Sequence, residues 1–195
     1  MIPIAESIPD AIVREHNDRL RDEMRKNGID AVIVFHPSNM LAFTGTPHAS
    51  WDRLTCAAVT RDAGVHLVCP AFERPGVAGA EPHATIHIWQ EDQNPYAVLA
   101  DALRSAGVAK GRIGVDGRVW LDSWYAFCEA LPDARLCNGE ALLRTVRIRK
   151  SPAEIEILRA AHRRGERLFL ELRRLIRPGV SEIELHRRLQ EHFDA

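Results

Sequence analysis

The segment Asp30-Ala31-Val32-Ile33-Val34-Phe35 constrains the fold more than any other. From Ala31 on it is an unbroken apolar run, rich in β-branched residues, set between a helix stop and a turn. Such a run reads as a buried strand. The stretch before it reads as an amphipathic helix. Asp10 is placed to cap that helix, Val13, Leu20 and Met24 recur at helical spacing, and Gly28 supplies the stop. His36-Pro37-Ser38-Asn39 ends the strand, and Met40-Leu41-Ala42-Phe43-Thr44-Gly45 follows as a short turn of helix or an irregular segment.

Further strands are expected over 55–60 and 65–70. The loop between them, Arg61-Asp62-Ala63-Gly64, is short enough for an antiparallel hairpin. Ala84-Thr85-Ile86-His87-Ile88-Trp89 alternates as another strand, and a helix from about Pro95 to Ser105 leads through Gly107 to a strand at 112–116. Residues 120–131 read as helix and Ala134-Arg135-Leu136-Cys137 as one more short strand. Strands interleaved with helices in this order imply an α/β fold, a mixed β-sheet flanked by helices.

The character of the chain changes after Arg144. Ser151-Pro152-Ala153-Glu154 is a capping box with proline at the first helical position. The helix it opens carries an apolar stripe at Ile155, Leu158, Ala161, Leu168, Leu172 and Leu175, and Arg177-Pro178-Gly179 ends it. Ser181-Glu182-Ile183-Glu184 opens a second helix, amphipathic at Leu185, Leu189 and Phe193. Two helices with apolar faces and no sheet beneath them are expected to pack on the first domain, on another copy, or on a further domain. The organisation expected is therefore a domain over 1–145, then a connecting helix and first helices of a second domain over 146–195.

Composition removes several classes. At 195 residues, with 46% hydrophobic and 27% charged residues, the chain suits one globular domain plus an appendage and does not suit disorder. No apolar run is long enough to cross a bilayer, and no basic segment followed by an apolar stretch opens the chain, so a cytoplasmic protein with no membrane partner is expected. Cys56, Cys69, Cys128 and Cys137 lie in or beside apolar segments without CxxC spacing, and read as buried free thiols. The nine histidines show no HExxH or similar zinc spacing. From Thr145 onward 12 Lys and Arg stand against 8 Asp and Glu, a basic bias within a net charge of −1. Its arginines are interleaved with glutamates, so nucleic acid is not an expected partner.

Several short patterns, taken in order, resemble the creatinase/prolidase family, which includes Xaa-Pro dipeptidases and aminopeptidase P. Arg19-Leu20, Met24 and Gly28-Ile29-Asp30-Ala31 resemble its first helix leading into its first strand. Asn39 through Phe43-Thr44-Gly45 is similar to its asparagine-then-YLTG turn, and Trp51-Asp52-Arg53-Leu54 sits where many members have a Ser-Glu-Arg-Pro-like loop. Pro70-Ala71-Phe72-Glu73 is similar to its PALE segment, and Trp89-Gln90-Glu91-Asp92-Gln93-Asn94-Pro95-Tyr96 to its tryptophan–acidic–DPY stretch. The fullest match runs from Arg147-Ile148-Arg149-Lys150-Ser151-Pro152-Ala153-Glu154-Ile155 to Ile176-Arg177-Pro178-Gly179-Val180-Ser181-Glu182. It resembles the signature that opens the family's catalytic domain.

The resemblance implies an N-terminal domain with the beginning of a pita-bread catalytic domain. The five metal ligands of the family, two aspartates, a histidine and two glutamates, are expected beyond Ala195. The resemblance therefore implies no cofactor in this chain and two divalent cations, manganese by preference, in a full-length parent. There the cations would activate a bridging water and polarise the scissile carbonyl of a proline-containing peptide. No catalytic or metal residue is assigned, and the chain alone is expected to be inactive.

The resemblance further implies a dimer or larger homo-oligomer, in which the loop before the second strand reaches over the neighbour's active site. Trp51, Asp52 and Arg53 are the candidate substrate-binding residues: the arginine as a fork for a carboxylate, the tryptophan as a wall for a proline ring. Asp52 in place of glutamate and Leu54 in place of proline depart from the pattern, and local packing of Trp51 with surface charges at Asp52 and Arg53 stays open. His83 and His87 read as structural or exposed, Asp116 as starting the turn into the next helix ahead of a ligand role at a strand end, and Glu73 as capping or pairing locally. A creatinase-like C–N hydrolase and a non-catalytic interaction module are the alternative readings.

Overall fold

The structure is a computed structural model that describes residues 8–48, 50 and 52–193. Trp51 therefore lies outside the described residues. Along the chain come α1 (Asp10–Asn27), β1 (Ala31–Val34), α2 (Pro37–Thr44), β2 (Cys56–Thr60) and β3 (Val65–Pro70). A 3-10 stretch, Ala71–Ala80, leads to β4 (Thr85–Trp89), α3 (Pro95–Ser105), β5 (Arg112–Val115), α4 (Leu121–Ala130), β6 (Arg135–Asn138) and α5 (Glu140–Ile148). Helices α6 (Pro152–Leu175) and α7 (Glu182–Phe193) complete it. Two compact units divide between Arg149 and Lys150.

The first unit is a mixed α/β layer structure. Its sheet order is β4-β3-β2-β1-β5-β6, and β2 alone of the six runs antiparallel to its neighbours. The apolar run of β1 sits at the middle and is buried at all four positions. Its alternation divides the core: Val32 and Val34 join α1, α2 and α5 on one face, while Ala31 and Ile33 join α3 and α4 on the other. Each large side chain so buried contributes about 1.5–3 kcal/mol of transfer free energy. Backbone approaches backbone closely between β5 and the start of α5, where a Cβ on Gly114 would stand 3.1 Å from the Cα of Gly139.

Helix α1 ends as its sequence indicates, with Gly28 at φ 62° and the Ile29 N–H donating to Met24 O. Its start differs from the expectation. Pro9 holds the cap position, and Asp10 is the first helical residue, its carboxylate meeting the His83 ring at 3.0 Å. Helix α2 begins at Pro37, earlier than expected, because proline at its first position presets φ and needs no N–H partner. Cys56 and Cys69 are buried free thiols, whereas Cys128 on α4 is exposed and Cys137, packed against the core from the edge strand β6, is half-buried.

In the second unit, Ser151 caps α6 with a reciprocal capping box: its Oγ accepts from Glu154 N and its N–H donates to Glu154 Oε2 at 2.8 Å. The apolar faces of α6 and α7 partly cover each other. Leu168 is buried, and Leu172, Leu175, Leu185 and Leu189 are half-buried. Ile155 and Leu158 remain exposed, together with Phe169, Leu170 and Ile183. Arg159, Arg174, Arg187 and Arg188 pair with Glu156, Glu171, Glu191 and Glu184 respectively. None of the described helices is long and apolar enough to cross a membrane.

Candidate functional site

The chain between α2 and β2 is closed on itself by one carboxylate. Thr46 Oγ1 donates to Gly76 O at 3.2 Å, and Glu73 Oε2 receives Thr55 Oγ1 at 2.7 Å and the His48 Nε2 at 3.1 Å. Glu73, only 13% exposed at its side chain, thus grips both ends of the loop that carries residues 50–53. It reaches 18 and 25 residues back along the chain, so it is a long-range clamp rather than a local cap.

Arg53 is held at the rim of this loop. Its Nε donates to both carboxylate oxygens of Glu91, at 3.2 and 3.1 Å, and its Nη1 to the backbone and side chain of Asp52 at 3.3 Å. The hydrogen bond to Glu91, then the charges of Glu91 and Asp52, raise the guanidinium pKa above its usual value. The group is exposed, so these ion pairs hold orientation more than they add stability. Nη2 forms no hydrogen bond with a described residue, which leaves one edge of the fork for an external acceptor. Asp52 is 80% exposed at its side chain and is reached by Ser50 Oγ at 3.3 Å.

The last residue of β4 and the acidic stretch after it both serve the same loop. Buried Trp89 donates its Nε1–H to Leu54 O at 3.0 Å, fixing the entry into β2, and Glu91 two residues on takes Arg53. Sequence reasoning missed the role of Glu91. Its signal was present in the tryptophan–acidic pattern, but the partner 38 residues away was not.

Behind the loop lies a pocket of about 440 Å³. It opens where β1 and β5 end and β2 begins, the edge at which open α/β sheets accept ligands. Phe35, Tyr96, Trp120 and Phe127 supply its aromatic wall, and Asp52, Arg53 and Asp122 its charges. Tyr96 meets the Phe127 ring edge-on at a centroid distance of 5.1 Å and donates to Ser123 Oγ at 3.0 Å.

Asp116 has a larger part than starting a turn. It is 2% exposed at the end of β5, and its Oδ2 accepts from the Phe35 and His36 N–H groups and from Asn39 Nδ2 at 2.8 Å. Arg147 then donates to Asn39 Oδ1 at 2.6 Å. This chain ties the ends of β1 and β5 to α2 and α5. His66 and His87 lie side by side on β3 and β4, Nδ1 to Nε2 at 3.1 Å, and burial followed by the charge of His66 lowers the His87 pKa. Burial pushes the Cys56 thiol up to about 12, with Cys69 adding to it, and Cys69 up to about 11, with Glu73 adding to it. Both thiols are neutral near pH 7 and make poor nucleophiles.

No group of three or more His, Cys, Asp or Glu converges to hold a metal ion among the described residues. The dinuclear centre that the resemblance implies does not fit any donor set present, so no catalytic step is derived through it.

The sequence profile of the Creatinase/Prolidase N-terminal domain matches residues 17–149. The chain belongs to this family. It is 28% identical over 173 residues to the creatinase of Bacillus sp. (strain B-0618), covering 87% of this chain and 41% of that protein. It is 22% identical over 167 residues to the Xaa-Pro dipeptidase of Lactobacillus helveticus, covering 85% of this chain and 45% of that one. Among solved structures, the recombinant prolidase from Thermococcus sibiricus superposes with a TM-score of 0.76 at 17% identity, covering 97% of this chain and 50% of that one. That likeness shows the fold. The chain thus spans less than half the length of these two relatives.

Proposed function

We propose that the chain is the N-terminal, non-catalytic portion of a proline-specific dinuclear metallopeptidase of Xaa-Pro dipeptidase or aminopeptidase P type. In that role the domain over 1–145 supports oligomerisation and covers the partner's active site, while residues 146–195 begin the catalytic domain. The supporting observation is Arg53. Glu91 and Asp52 set its guanidinium at the rim of a clamped loop, with the Nη2 edge left for the carboxylate of a short peptide. Trp51, as a wall for a proline ring, belongs to the same reading. The divalent cations, manganese by preference, would be held by residues outside this chain, and the chain alone would not release proline.

Steady-state kinetics of Arg53→Ala in the full-length enzyme test this. Loss of one charge-assisted contact, about 1.5–3 kcal/mol, should raise KM for peptides with a free carboxylate roughly tenfold or more while the melting temperature holds. Unchanged KM would reduce Arg53 to a surface charge. A second reading, a creatinase-like hydrolase acting on a non-peptide C–N bond, draws support from the 28% identity to the creatinase against 22% to the dipeptidase. Substrate assays on the full-length enzyme separate the two.

A further inference from the structure

We propose that the pocket behind the loop is a binding site for a small organic cation with an apolar body, an ammonium or amidinium on an aryl or branched alkyl group. The inference does not depend on catalysis, and the domain would hold such a ligand by itself.

Three observations carry it. The first is size: about 440 Å³ falls within the range of pockets that enclose small molecules. The second is the wall. Phe127 is fully buried, so it forms a fixed floor, whereas Trp120 stands at the rim with 61% of its surface in water. An indole left so exposed beside a formed cavity contributes little to folding, yet offers a face to an apolar or cationic group.

The third observation is charge. The one cation among the described residues that line the pocket, Arg53, is matched by Glu91 through both carboxylate oxygens and shares Asp52 as well. Among the described lining residues Asp52 and Asp122 outnumber Arg53 by one charge, and Arg53 is matched from outside the lining by Glu91. The Asp122 carboxylate forms no ion pair or hydrogen bond with a described residue. Its place in the first turn of α4 suits the helix dipole, which accounts for a carboxylate there but not for the aromatic rim beside it. Aromatic faces and excess carboxylate attract the same ligands, and both disfavour an anion. A cation seated here puts its charge between Asp52 and Asp122 and its body on Trp120.

The test uses the 195-residue chain, with 2-phenylethylammonium as probe and 2-phenylethanol and 3-phenylpropanoate as its neutral and anionic counterparts. Binding is followed by NMR shifts of the tryptophan indole N–H signals, that of Trp120 assigned by its loss in Trp120→Ala. Saturable binding of the ammonium is expected, at least tenfold tighter than the alcohol and tighter again than the acid. Asp122→Asn should weaken it severalfold, Trp120→Ala should abolish it, and Arg53→Ala should preserve or strengthen it. Equal binding of the acid, indifference to Asp122→Asn, or no saturation by 50 mM ammonium would each overturn the proposal. Acid binding that disappears in Arg53→Ala would overturn it while supporting the carboxylate role of Arg53, so the two readings fail separately.

Discussion

Asp116 is the residue on which most of the carboxyl edge of the sheet depends. Three donors converge on its Oδ2 from β1's end and from α2, and its buried Oδ1 has no hydrogen-bond partner among the described residues. Removing the carboxylate leaves two backbone N–H groups and the Asn39 amide without this acceptor in a buried place, and an unmet buried donor costs about 1–3 kcal/mol. Asp116→Ala should therefore cost about 3 kcal/mol, which corresponds to a fall of roughly 6–12 °C in melting temperature for a chain of this size. Thermal unfolding followed by circular dichroism checks this, and a loss below about 1 kcal/mol would show that the network is dispensable. The sequence around Asp116, Gly114-Val115-Asp116-Gly117, supports a turn and carries no mark of Asn39, 77 residues away. Glu73 and Glu91 were obscured in the same way. A residue type and its local pattern indicate what a group can bond to, whereas the fold decides which distant group it meets.

At the scale of elements, legibility followed the strength of local signals. Helix α3 was expected from Pro95 to Ser105 and has those bounds, because Asn94 accepts from Tyr96 and Ala97 N–H groups and Pro95 opens the first turn. The hairpin of β2 and β3 followed from its short loop. Helix α5 was not legible. It has nine residues, opens after Gly139 without a side-chain cap at that position, and buries only Leu143 and Val146. The 3-10 stretch Ala71–Ala80 was equally silent, with Pro75 inside it and two glycines breaking any period. By contrast, the capping box of α6 states its own start, and both of its hydrogen bonds are present. Ser151→Ala should remove one of them and cost about 1 kcal/mol, local to α6. Faster hydrogen exchange at the Glu154 amide, with exchange in β1 unchanged, is the expected signature. Equal exchange at Glu154 would mean that tertiary contacts rather than the cap set this end.

For the whole molecule, the question is what the second unit does with the apolar surface it keeps. The sequence stripe on α6 pointed to a helix wanting a cover, and the structure meets part of that need by setting α7 against it. What remains is considerable. Phe169 is 60% exposed, Ile183 82%, and Ile155, Leu158 and Leu170 lie open as well. Large exposed apolar patches mark association surfaces, and the gain from covering one grows with its area. Arg159, Arg174, Arg187 and Arg188 pair with glutamates of their own helices, which reduces the charge repulsion that a contact between copies would meet. The oligomeric role proposed above therefore leads to a measurable consequence for this chain. Size-exclusion chromatography with light scattering should give a dimer or larger species at about 50 µM, dissociating on dilution. Phe169→Glu with Leu170→Glu should shift it to monomer without lowering the helical content, because neither side chain belongs to the buried set that Leu168 anchors. A monomer at every concentration would remove α6 as an association surface and leave the oligomeric role to the first unit alone, where Leu121 and Tyr125 form the exposed apolar face of α4.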